Sequence, residues 1–112
     1  MSRRTHRIED QLRVELADLL LRKVRDPRLQ EARVAAVDVS PDLSTARVHV
    51  SILADDSERE EGVAALNRAA GFFRASLAQR LRHMKRIPSL NFQLDRGPEH
   101  TQHITDLLEN LQ

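Results

Sequence analysis

In Ala65-Leu66-Asn67-Arg68-Ala69-Ala70-Gly71-Phe72-Phe73-Arg74, helix-forming residues stand on both sides of a glycine. Glycine inside a helix costs about 1 kcal/mol relative to alanine, so Gly71 marks an end, a kink or a close approach. The flanking apolar spacing agrees on two helices rather than one. Val63, Leu66 and Ala70 mark the first; Phe73, Leu77, Leu81 and Met84 mark a second that runs to near Ile87-Pro88. A chain with two helices meeting so abruptly must place them together against something else.

The rest of the sequence supplies that partner. From Thr5 to about Val24, apolar residues at Ile8, Leu12, Leu16, Leu19, Leu20 and Val24 predict an amphipathic first helix, and Asp26-Pro27-Arg28-Leu29 forms an exit turn into extended chain. Two β-branched runs follow, ARVAAVDVS and TARVHVSILA. The second sets Ala46, Val48, Val50 and Ile52 against Arg47, His49, Ser51 and Leu53. Between the runs, SPDLS carries the proline and aspartate of a tight turn, so the pair reads as a β-hairpin with one face on a core. SLNFQL, with Leu90, Phe92 and Leu94 alternating, is a third strand. In the tail, Ile104, Leu107, Leu108 and Leu111 space a short terminal helix expected to dock on the core. The helix pair separates the second and third strands by the length a crossover needs. The expected architecture is α+β, in the order α-β-β-α-α-β with a short C-terminal helix, helices covering one side of a three-stranded sheet. Residues 1–112 are read as one domain.

Composition narrows the function. The 112 residues contain no cysteine, which removes disulfides, thiol catalysis and cysteine-ligated zinc together. No apolar run approaches a membrane span and the N-terminus has no signal-peptide pattern, so a cytoplasmic location with no membrane partner is expected. The glycines, Gly62, Gly71 and Gly97, form neither a P-loop nor a dinucleotide fingerprint, and no nucleophile motif is present. His100 and His103 are read as a solvated pair, since no third ligand at a suitable spacing accompanies them. His49 and His83 have no nucleophile motif near them. The acidic run Asp55–Glu61 is read as a solvated loop and a helix start, where negative charge suits the helix dipole. Nothing points to an enzyme, a cofactor, a metal or a small-molecule substrate.

The net charge of +1 hides a strong segregation. No acidic residue occurs between Gly62 and Leu94, whereas Arg68, Arg74, Arg80, Arg82, Lys85 and Arg86 all fall there. A second basic cluster, Arg3, Arg4 and Arg7, opens the chain. Such segregation fits a solvated arginine-rich face, and it raises the odds of an anionic partner. On a helix whose apolar stripe is Phe73, Leu77, Leu81 and Met84, the charges at Arg74, Arg82, Lys85 and Arg86 are expected to project outward and grip a nucleic-acid backbone, each phosphate contact adding salt-dependent affinity without reading a base. With only three aromatic residues, Phe72, Phe73 and Phe92, binding through many base-stacking platforms is not expected. The competing reading is a protein-interaction module whose basic helix meets an acidic protein surface.

Several stretches, in order, resemble the ribosome-binding factor A family of bacterial small-subunit assembly factors. They are RRTHRIEDQLRVELADLLLRKVRDPRL, VDVSPDLSTARVHVS, ALNRAAGFFRASLAQRLRHMKRIPSLNFQLD and HITDLLENL. The resemblance implies a fold similar to a type II KH domain, whose usual members clamp about four nucleotides with a G-x-x-G loop. In the family an Ala-x-Gly kink takes that place, which falls on Ala69, Ala70 and Gly71 here, so single-strand readout of the usual kind is expected to be lost. It further implies binding to the free 30S subunit and 16S rRNA near its 5′ and 3′ regions during maturation, and departure once processing is done. Nothing in the sequence suggests an obligate oligomer, and a monomer is expected. Some members carry a longer C-terminal tail, whose contacts are expected to be absent or replaced.

Overall fold

The computed structural model describes residues 3–22, 25–29 and 32–95. Helix α1, Arg3–Arg22, begins two residues ahead of the expected start, and its row of Ile8, Leu12, Leu16, Leu19 and Leu20 is buried. The exit turn expected at Asp26–Leu29 is a single 3-10 turn over Pro27–Leu29, closed by Leu29 N donating to Asp26 O at 2.9 Å, and it sinks Leu29 into the core.

Strands β1, Ala32–Val39, and β2, Thr45–Ile52, form the antiparallel hairpin. In β2 the alternation expected from sequence holds: Ala46, Val48, Val50 and Ile52 are all buried. In β1 it does not run through. A register shift between Val34 and Ala36 leaves Ala35 as an extra residue. This bulge changes the phase of the strand, so that Ala32 before it and Val37 and Val39 after it are all buried. In the turn, Asp42 accepts from the Ser40 hydroxyl at 2.7 Å, the Ser44 hydroxyl at 2.7 Å and the Ser44 amide at 3.1 Å. These hydrogen bonds, that of Ser40 first, lower its pKa from 3.8 to about 2. Leu43 adopts a left-handed φ of 61°, unusual for a branched side chain, while packing against the core.

Helix α2, Asp56–Arg68, is capped by Asp55, whose carboxylate accepts the Glu58 amide at 2.8 Å. Helix α3, Ala70–Arg80, follows after one residue, and strand β3, Ser89–Leu94, pairs parallel to β2. The sheet order is β1-β2-β3. Because the inward residues of β2 are buried while Arg47 and Ser51 are exposed, the three helices cover one face and leave the other open. Their apolar side chains join the sheet in one cluster that includes Phe73, Leu77 and Phe92.

Helix α3 is shorter than the sequence suggests. It ends at Arg80, and Leu81 leaves the helical region at φ −114°, ψ 54°. The apolar spacing continues to Met84 because the following loop folds back on the core: Leu81, Ile87 and Pro88 are buried and Met84 packs against them in part. Tertiary burial thus imitates helical periodicity across a loop. The expected terminal helix of the tail, and His100 and His103, lie outside the described residues.

Candidate nucleic-acid interface

The helix junction differs from the expectation at Gly71. The break sits at Ala69, with φ −93° and ψ 7°, whose amide still reaches back to Ala65 O and Leu66 O at 3.1 Å each while its carbonyl accepts the Phe73 amide at 3.1 Å. Gly71 lies inside α3, has no positive φ, and a Cβ there would meet nothing within 4 Å. Only a single non-helical residue joins the two helices, so no room remains for a G-x-x-G loop.

Asn67 fixes the junction to the sheet. Its Nδ2 donates to Phe92 O at 3.0 Å and its Oδ1 accepts the Phe92 amide at 2.8 Å, a two-way clamp on the edge strand β3. Sequence reading missed this residue; an asparagine one position before the end of a helix is its only local signal. Of the adjacent phenylalanines, Phe73 is fully buried and anchors α3, with its ring 5.4 Å from that of Phe92. Phe72 is 49% exposed.

The predicted cations fall into distinct settings. Arg82, Lys85 and Arg86 stand in the loop between α3 and β3, not on a helix, and all three are exposed. Arg74 is exposed on α3, but its Nε donates to Ile87 O at 3.0 Å, which ties the loop down. Arg68 is exposed in the last turn of α2. Arg80 is set apart. One of its terminal nitrogens donates to Asp18 at 2.7 Å and Glu15 at 3.1 Å on α1. Hydrogen bonds from Arg80 and then Arg22 lower the Asp18 pKa, and those to Asp18 and Glu15 raise that of Arg80. Arg80 therefore braces α1 against α3 and offers little free charge to a ligand.

That brace joins α1 to the end of α3. Beyond it, His83 lies 3.4 Å from Gln11 on α1, and Arg7 is one helical turn before Gln11. Arg3, Arg4 and Arg7 are exposed in the first two turns of α1. Three arginines at a helix N-terminus with no acid in the first turn oppose the helix dipole, which favours an external anion there. Among the described residues, no three His, Cys, Asp or Glu side chains are grouped to hold a metal, and no helix is long and apolar enough to cross a membrane.

Residues 4–108 match the ribosome-binding factor A family. The chain belongs to that family. A relative of that name from Thermomicrobium roseum is 43% identical over 111 residues, covering 99% of this chain and 85% of its own. The solution structure of a putative member from Thermotoga maritima superposes with a TM-score of 0.74 at 36% identity, over 87% of this chain and 92% of that one. Coordinates of the Thermus thermophilus member, a homology model fitted into the cryo-EM map of a 30S complex, superpose with a TM-score of 0.68 at 37% identity, over 80% and 92%. The fold is thus the KH-like α+β fold of the family, with Ala69 where a KH loop would stand.

Proposed function

We propose that this protein is a non-enzymatic assembly factor that binds the free 30S subunit through 16S rRNA and assists rRNA processing and late maturation. Its likeness to a relative fitted into a 30S map carries the reading. Arg3, Arg4, Arg7, Arg82, Lys85 and Arg86 meet RNA backbone, together with Arg68 and Arg74 about the Ala69-Ala70-Gly71 junction. Because these side chains are long and exposed, they suit phosphate contacts rather than base readout. The protein acts as a monomer in the cytoplasm, as one domain.

The test is sedimentation with purified ribosomal particles and analysis of precursor rRNA in a deletion strain. Association with free small subunits, little with assembled ribosomes, and accumulated precursor support the reading; normal processing with no subunit association overturns it. Association that survives complete RNA digestion would move the partner to an acidic protein surface.

A further inference from the structure

The chain's three phenylalanines form one connected row from core to surface. Phe92 packs on Phe73, and Phe73 meets Phe72 at 5.5 Å with an interplanar angle of 68°, an edge-to-face contact. The outermost ring is therefore held by a fully buried neighbour while half of its own residue surface stays in solvent. Gly71, the residue before it, adds no side chain, and a Cβ there would meet no other part of the fold within 4 Å. The nearest cations in sequence, Arg68 and Arg74, belong to the acid-free segment, and the opening turn of α3 has no side-chain cap and no acid.

Resting on the RNA-binding reading above, we infer that Phe72 is a stacking platform for one unpaired RNA base, with a flanking phosphate held by the exposed Arg68, four residues before it. A flat base needs an exposed ring, and Phe72 is 49% exposed while its ring packs edge-to-face on the buried Phe73. Stacking accepts any base because each has a π-face, so Phe72 would capture an unpaired nucleotide without choosing its sequence. A single platform also fits a chain too poor in aromatics for a multi-base track.

The test uses the full-length protein with free small subunits, measuring Kd as a function of salt for the wild type and for Phe72→Ala, Phe72→Leu, Phe72→Tyr and Arg86→Glu. Stacking predicts that Phe72→Ala and Phe72→Leu weaken binding by about ten- to a hundredfold with an unchanged salt slope, while Phe72→Tyr binds as the wild type does. Phe72→Leu binding like wild type overturns stacking. If Arg86→Glu weakens binding and flattens the slope while every Phe72 variant binds normally, the platform fails and the RNA reading stands; if neither kind of variant has an effect, the RNA reading fails with it. The chain has no tryptophan or tyrosine, so Phe72→Trp creates a lone reporter. Quenching of its emission by protein-free 16S rRNA supports the platform, whereas quenching by intact subunits alone assigns Phe72 to a ribosomal protein and overturns it. Thermal unfolding of each variant separates these losses from misfolding.

Discussion

Gly71 and Asn67 exchange the roles that their residue types suggest. The glycine has ordinary helical backbone and free space around it, so Gly71→Ala should raise stability by up to about 1 kcal/mol in urea unfolding, and Gly71→Val should be close to neutral. A loss of more than about 1 kcal/mol from either would restore the glycine as a strained position. Asn67 carries the constraint instead. Asn67→Ala leaves both the amide and the carbonyl of Phe92 without their partner in a half-buried setting and should cost about 1–3 kcal/mol in the same measurement. Composition and spacing locate the helix pair, but a clamp between residues 67 and 92 is a tertiary fact that local sequence does not encode. The same holds for Arg80, which is indistinguishable in sequence from the arginines around it until Glu15 and Asp18 are seen opposite it. Arg80→Ala should therefore lower the melting temperature more than Arg86→Ala does.

Among the elements, β2 and α1 were readable because each is amphipathic on its own period and buries the face that the period names. β1 was readable as a strand of the hairpin but its buried face was not, because Ala35 breaks the alternation and two short apolar sets of opposite phase look like irregularity until the bulge is placed. The end of α3 was overestimated for the converse reason, a loop whose buried residues happen to continue a helical spacing. The β1–β2 turn has a pH signature. The Asp42 pKa is depressed in the fold, so its contribution is fully present above about pH 4 and is lost as pH falls toward 2. Unfolding free energies between pH 5 and pH 2 should fall less steeply for Asp42→Asn than for the wild type; equal slopes would show that the Ser40 and Ser44 hydrogen bonds do not hold the carboxylate in solution.

At the scale of the molecule, the two basic segments were visible in the sequence, but the contacts of Arg80 and His83 with α1 were not, since they depend on α1 lying against the end of α3. Arg82→Glu and Arg86→Glu should each weaken binding to free small subunits and reduce its dependence on salt, with thermal unfolding unchanged, because both side chains sit in an exposed loop and brace nothing among the described residues. A matching loss of thermal stability would make them structural.

The side chains that meet the two outer strands have one more consequence. Asn67 occupies the Phe92 amide and carbonyl on β3, and Glu9, though buried, turns its carboxylate to accept the Val39 amide on β1 at 2.8 Å. Each rim of the sheet is thus interrupted by a helix side chain at the point where a further strand would begin to pair. A small, three-stranded sheet is otherwise an invitation to recruit a peptide or a second copy by strand addition, and from there to aggregate. These two contacts obstruct each rim at one residue, so a strand added there would have to displace Glu9 or Asn67.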